Sequence, residues 1–255
     1  MTPETPAPGA GGIDEVVDRL DGVVAWARAN GSRAGYFAAL YRRVTLEIRH
    51  GIREGRFDDG PRMERLDVLF AARYLEAFER WRDGAPTTRS WAVAFDAAES
   101  WWPIVLQHLL LGINAHINLD LGIAAARTSP GTALAELEDD FLRVNQILGS
   151  LVDDVQERLT GVWPLLRVLD WVGGRTDEAT VHFSIARARD EAWAFAHRLN
   201  GLEGADRELE IGRVDAKIAT LGRLVRRPGL LLGAAVKVVR LGELRSVEGV
   251  IDLLA

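Results

Sequence analysis

The stretch PIVLQHLLLGINAHINLDLGIAAA, residues 103–126, is the least polar part of the chain and is the best guide to its fold. Its Leu and Ile residues are too dense for a helix that is apolar on one side only, so they predict a helix buried on most sides. Pro103 should end or kink the helix that precedes it. We therefore expect other helices to pack around this central one.

Apolar residues recur at helical spacing along much of the remaining sequence, as Val16, Leu20 and Val24 do near its start. Runs in which Val, Ile and Thr alternate with polar residues are missing, and no hairpin turn lies between two such runs. The sequence therefore predicts an all-α fold, a single-domain bundle of about eight to ten helices without a β-sheet.

Composition divides the 255 residues into three predicted segments. Residues 1–12 are rich in Pro, Gly and Ala, lack the pattern of a signal peptide and are expected to form a disordered lead. Residues 13–220 should form the core of the bundle, and residues 221–255 should form basic helices packed on it. The last segment carries six basic and three acidic residues, so its net charge is +3, whereas the total charge is −6.

This basic C-terminal segment has two interpretations. Peripheral contact of residues 221–255 with an anionic membrane or another partner is one of them. A packed terminal hairpin with an exposed basic face is the plainer one.

Charge, composition and motifs exclude several classes of protein. A net charge of −6 argues against a nucleic-acid partner, because phosphate binding needs a basic surface. The absence of Cys excludes disulfides, thiol nucleophiles and zinc fingers. Neither glycine motif of phosphate-binding loops occurs, so no nucleotide cofactor is expected. Polar residues interrupt the apolar stretches before the length of about 18 that a membrane span needs, and we expect a cytoplasmic protein.

Six polar residues within the central apolar helix form the candidate functional site. Burying a polar side chain costs free energy unless it finds a hydrogen-bonding partner. Six of them in so apolar a helix therefore predict either a network between helices or a ligand site. They are Gln107, His108, Asn114, His116, Asn118 and Asp120.

Helix geometry, at about 100° per residue, sorts these six into two groups. Gln107, Asn114 and Asn118 share one stripe, whereas both histidines and Asp120 lie on another side. His116 and Asp120 are four residues apart and can touch, either as two ligands of one metal ion or as a carboxylate that orients an imidazole. His108 lies about 12 Å from His116 along the helix axis, too far for both to bind the same ion easily.

The first functional hypothesis is a small-molecule enzyme that acts on a largely apolar substrate by acid–base or metal-assisted chemistry. Its catalytic candidates are His116, Asp120 and His108. Its candidates for binding the substrate are Asn114, Asn118, Gln107, Trp102, Tyr74 and Arg73. A divalent metal ion, if bound, would be held by His116 and Asp120 together with Asp67 and Asp140 from facing helices.

The competing hypothesis is a non-catalytic helical protein. In it the same polar cluster fixes how the helices pack, and the basic C-terminus contacts a partner or a membrane surface. Asn and Gln on buried helices often bond to neighbouring helices, and a His–Asp pair often stabilises a core, so the residues alone leave both hypotheses open.

The segment QHLLLGINAHINLDLG, residues 107–122, also resembles the core of an uncharacterised, mainly actinobacterial family of helical proteins. Two further segments resemble the same family, ERLDVLFAARY at residues 64–74 and ARDEAW at residues 188–193. The resemblance covers about residues 13–200 and implies an all-helical fold. The family is a domain of unknown function, so the resemblance implies no activity, cofactor or site residue.

Overall fold

The computed structural model describes residues 12–145, 147–148, 185–243 and 245–255. Within these ranges every regular element is a helix, which confirms the predicted all-α fold. The predicted lead, apart from Gly12, lies outside the described residues. The α-helices are α1 (Ile13–Ala29), α2 (Ala34–Arg53), α3 (Gly60–Arg82), α4 (Arg89–Ala98), α5 (Val105–Ala115), α6 (Gly122–Thr128), α7 (Ile185–Asn200), α8 (Gly204–Arg226), α9 (Leu230–Gly242) and α10 (Val247–Leu254).

The predicted central helix is present as one continuous helix, but it is not α-helical throughout. A π-helical segment, His116–Leu121, joins α5 to α6. Around this helix, α5 packs on α2, α4 and α8, while α6 packs on α3 and α7. A π-helical turn hydrogen-bonds from residue i to residue i+5 and is frequently found at functional sites. Here it contains both His116 and Asp120, the pair that the sequence singles out.

Side-chain caps explain where several of the helices begin. Asp59 accepts a hydrogen bond from the backbone nitrogen of Arg62 at the start of α3, and Ser246 accepts one from Gly249 at the start of α10. The first turn of α5 is instead capped from the C-terminal segment, because the buried carboxylate of Glu243 accepts from the nitrogen of Val105 at 3.0 Å. Such caps satisfy backbone donors that a helix start leaves unpaired.

One glycine brings α2 close to the central helix. A Cβ atom at Gly112 would lie only 2.4 Å from ring atoms of Phe37 on α2. The absence of a side chain at this position therefore lets the Phe37 ring lie against α5. This approach places Phe37 against His116 as well, with 5.6 Å between the ring centroids.

The continuous helix Val105–Thr128 is long and apolar enough to cross a membrane by length and composition, although the sequence predicts no spanning helix. Core helices of soluble proteins meet the same criterion, and most of this helix is buried within the bundle. Contacts with five other helices account for its apolar composition without a lipid environment.

Candidate functional site

The carboxylate of Asp120 is the centre of the candidate site. It is fully buried, and three side chains converge on it. Arg73 Nε on α3 donates to Oδ1 at 2.7 Å, and Trp91 Nε1 on α4 donates to Oδ2 at 2.8 Å. His116 Nδ1 lies 3.4 Å from Oδ2. Asp120 therefore connects the central helix to two neighbouring helices and to the imidazole.

The protonation of this pair follows from its surroundings. Burial alone would raise the pKa of Asp120, but the charge of Arg73 and the hydrogen bonds from His116 and Trp91 hold it below its usual value. Burial lowers the pKa of His116 despite the attraction of Asp120. Because an ionised carboxylate only accepts hydrogen bonds, Nδ1 of the neutral imidazole carries the proton. Nε2 is then left with a free lone pair.

Aromatic rings surround the imidazole of His116. Phe70 on α3 stacks on it, with a centroid distance of 3.6 Å and an interplanar angle of 6°. Tyr41 on α2 meets it edge-on at 4.4 Å, and Tyr74 lies 6.1 Å away. These contacts exclude solvent from the ring and strengthen its interaction with Asp120.

Four polar atoms in this region are buried without a hydrogen-bonding partner. They are the hydroxyls of Tyr41 and Tyr74, Nε2 of His116 and Oδ2 of Asp67. Asp67 lies one turn before Phe70 on α3, and its charge contributes to the raised pKa of Tyr41. Burial, assisted by the charge of Glu64, raises the pKa of Asp67 itself to about 7. Native proteins leave few buried polar atoms unpaired, and such atoms often belong to functional sites.

Replacement of Tyr74 by Phe is expected to leave the free energy of unfolding unchanged or to raise it by up to about 1 kcal/mol, because the lost hydroxyl has no partner. Urea denaturation measures the change. As a matched control, Thr45→Val removes a buried hydroxyl that donates to the carbonyl of Tyr41, and it should cost about 1 kcal/mol. A loss above about 1 kcal/mol in Tyr74→Phe would show that its hydroxyl is structurally paired.

A cleft opens beside this cluster between α2, α4 and α5. It is small, with a cavity volume of about 20 Å³, and mainly apolar residues line it. His108 also lines it, with Nε2 buried and unpartnered. Burial and the charges of Arg33 and Arg240 lower the pKa of His108 to about 3, so the ring is neutral. Three of the lining residues, Phe37, Tyr74 and Trp91, also contact His116.

The predicted stripe of Gln107, Asn114 and Asn118 faces α8 rather than the cluster. Gln107 Nε2 donates to the carbonyl of Val225 at 2.7 Å, and Asn114 Nδ2 donates to that of Ile218 at 3.0 Å. Asn118 in turn donates to the side-chain oxygen of Asn114. The three side chains bond helices to each other, and their predicted role in binding a substrate stays a prediction.

The four predicted metal ligands do not come together. Asp140 accepts from the backbone nitrogens of Asp58 and Asp59, both at 2.8 Å, and from Arg143. Both oxygens of Asp140 therefore accept hydrogen bonds from the loop before α3. Both oxygens of Asp120 likewise accept hydrogen bonds already. Within the residues that the structure describes, no group of three or more His, Cys, Asp or Glu side chains is placed to hold a metal ion.

The other candidates divide between the cluster and the surface. Arg73 and Tyr74, both predicted to bind the substrate, lie at the cluster, where Arg73 pairs with Asp120 and Tyr74 contacts His116. Trp102 is exposed and lies beneath Lys237, with 5.7 Å between the amine and the ring centroid. Its predicted role in substrate binding stays a prediction.

A model of a family of unknown function, DUF5995, matches residues 13–228. The chain belongs to this family. No curated relative and no solved structure matches it. The matched region of DUF5995 includes Asp67, Arg73, Trp91, His116 and Asp120, whereas α9 and α10 follow it.

Three further residues of this DUF5995 chain contact His116 but are not predicted as site residues from the sequence, namely Tyr41, Phe70 and Trp91. Their apolar spacing is that of ordinary core residues, which hides their contacts with His116. The sequence does contain one signal for the tyrosines of the site, because Tyr occurs only three times and each one lies against a buried histidine. Tyr36 lies against His108, and both Tyr41 and Tyr74 lie against His116.

Proposed function

We propose that the chain is a small-molecule enzyme that transfers protons by general acid–base catalysis at His116. The observation that supports this function best is the free Nε2 of an imidazole that Asp120 orients, beside further buried polar atoms without partners. A neutral imidazole with a free lone pair accepts a proton, and the ionised carboxylate behind it stabilises the charge that develops. Asp120 acts as a positioning residue, because Arg73 and Trp91 occupy its oxygens.

Asp67 supplies the second half of the proposed chemistry. A carboxyl group with a pKa of about 7 can hold a proton near neutral pH and release it to a substrate. Environments that shift the pKa values of two groups in different directions commonly assign their roles as acid and base. In this proposal His116 takes the proton, Asp67 gives one, and the hydroxyls of Tyr41 and Tyr74 donate hydrogen bonds to the polar group of the substrate.

The proposed substrate is small and largely apolar, since the cleft beside the cluster is lined mainly by aromatic and Ala side chains. Phe37, Tyr74 and Trp91 line this cleft and also contact His116. The cleft is smaller than such a substrate, so binding requires these side chains to move. His108 accepts a hydrogen bond from the substrate within the cleft, because its unpartnered Nε2 is buried there. Acid–base chemistry with these groups does not require a metal ion.

The non-catalytic alternative has its own support. Gln107, Asn114 and Asn118 are bonded between helices, as a structural network requires. The groups around His116 differ from them, because unpartnered polar atoms contribute nothing to packing and cost free energy when buried. We therefore favour a structural role for the Asn and Gln stripe and a catalytic role for His116.

The test uses a panel of small apolar ketones and nitrophenyl esters, with proton exchange in D₂O and ester hydrolysis as readouts. We expect wild-type turnover of at least one panel member and a loss of about 100-fold or more in His116→Gln. His50→Gln, at the exposed end of α2, serves as the matched histidine control and should retain full activity. Turnover that survives in His116→Gln would overturn the assignment of His116 as the catalytic group, and no turnover across the panel would favour the non-catalytic protein.

A further inference from the structure

Exposed apolar side chains are concentrated on one part of the protein. Ten large hydrophobic side chains are exposed within the described residues, and six of them belong to α9 or to the loop before α5. Soluble proteins normally scatter such residues singly over the surface, so a cluster indicates a contact surface. We name this set the apolar face: Trp101, Trp102, Leu230, Leu231, Val238 and Leu241.

Helix α9 is apolar on both sides. Its inner side buries Ala235, Val236 and Val239. Its outer side carries Leu230, which is 96% exposed, and Leu231, which is 71% exposed. At about 100° per residue, Val238 and Leu241 fall on the same side as these two leucines. A helix with a second apolar side pointing outward is typical of a segment that binds at a membrane surface or to another apolar surface.

Basic residues hold the two tryptophans against this helix. The guanidinium of Arg240 lies 4.5 Å from the ring centroid of Trp101 and donates to its carbonyl. Lys237 lies over Trp102. The residues from 221 onward carry a net charge of +3, whereas the rest of the chain carries −9. The segment that carries most of the apolar face is therefore also the one with a net positive charge.

We propose that the apolar face docks the protein onto an anionic lipid membrane surface. In this arrangement Leu230 and Leu231 enter the boundary of the acyl chains, the two tryptophans lie at the headgroup level, and Lys237 meets lipid phosphates. A second copy of the chain fits the face less well, because two such faces would bring two basic segments together. The proposal is independent of the chemistry at His116.

The experiment is cosedimentation of the purified full-length chain with vesicles. Wild type is expected to bind vesicles of phosphatidylcholine with 30% phosphatidylglycerol (a composition chosen for the test) at least tenfold more tightly than vesicles of phosphatidylcholine alone. Added salt should weaken the binding, as screening of charge requires. The double variant Leu230→Asn/Leu231→Asn should lower binding to the anionic vesicles at least tenfold.

Two exposed leucines elsewhere, Leu142 and Leu209, provide the matched control. The double variant Leu142→Asn/Leu209→Asn should bind the vesicles as wild type does, and circular dichroism should show that both double variants fold. Equal binding to neutral and anionic vesicles, no binding at all, or equal losses in both double variants would overturn the proposal. So would a wild-type dimer in sedimentation analysis that Leu230→Asn/Leu231→Asn converts to monomer.

Discussion

Replacement of Asp120 by Asn is expected to lower the free energy of unfolding by about 3 kcal/mol, because it removes the charge that Arg73 and Trp91 require inside the protein. Three donors converge on the carboxylate, namely Arg73 Nε, Trp91 Nε1 and His116 Nδ1. The Asn side chain has one acceptor oxygen where Asp has two, so its NH₂ group would face one of these donors. That donor would be left without an acceptor. Urea denaturation of wild type and variant measures the loss.

The exposed pair of Asp96 and Arg226, 3.7 Å apart, gives a matched control for the loss of a carboxylate charge. Asp96→Asn should change stability by less than about 0.5 kcal/mol, since exposed ion pairs contribute little. A double-mutant cycle with Arg73→Met isolates the pair itself and should give a coupling of about 2 kcal/mol or more. A loss below about 1 kcal/mol in Asp120→Asn would contradict the buried network.

This prediction separates the structural and chemical roles within one cluster. Asp120 holds α3 and α4 to the central helix, so its replacement lowers stability whether or not the site is catalytic. The hydroxyl of Tyr74 has no partner, so its removal tests function with little structural cost. Replacement of His116 also removes Nδ1 from Asp120 and the ring that stacks on Phe70, so its stability is measured beside its activity. A site that orients a reacting group needs both kinds of residue.

The sequence predicts the helical fold and the pairing of His116 with Asp120, since both follow from spacing along one helix. The partners of that helix are less predictable. Asn114 and Asn118 are of a residue type that often binds substrates, yet they face α8. Only the packing of the helices shows which side of the central helix faces which neighbour. The π-helical segment His116–Leu121 is not predicted from the sequence either, because such turns are rare and the apolar spacing of this stretch is typical of an α-helix.

Contacts between helices distant in sequence explain the other differences. The sequence predicts Asp140 as a metal ligand together with His116, but the loop before α3 supplies two backbone nitrogens that donate to its carboxylate. Arg73 on α3 pairs with Asp120 on the central helix, a contact between helices distant in sequence. The unpartnered state of Asp67 Oδ2 likewise has no signature in the sequence.

Replacement of Asp67 by Asn is expected to change how stability depends on pH. Burial raises the pKa of Asp67 to about 7 in the folded chain, against an ordinary value of 3.8. Between those values the folded protein holds a proton that the unfolded chain has lost, so this residue's contribution to stability falls as pH rises. The contribution is complete below about pH 4 and is lost as pH rises through 7, a change of about 4 kcal/mol.

The pH dependence of wild-type stability alone would hide the contribution of Asp67. The pKa of His108 is lowered to about 3, so its contribution to stability rises with pH up to its ordinary value of 6.5. The two residues therefore act in opposite directions over most of the range, and His116, with its lowered pKa, acts in the same direction as His108. The informative quantity is the stability of wild type minus that of Asp67→Asn at each pH.

That difference is expected to fall by about 4 kcal/mol between pH 4 and pH 8, so that Asp67→Asn is the more stable protein under mildly alkaline conditions. Urea denaturation across the pH range measures it, and His108→Gln should give a difference of the opposite slope between pH 3 and 6.5. A difference that stays flat above pH 5 would mean that Asp67 ionises with its ordinary pKa. Asp67 would then carry no proton at neutral pH, and the proposed reaction would lose its acid.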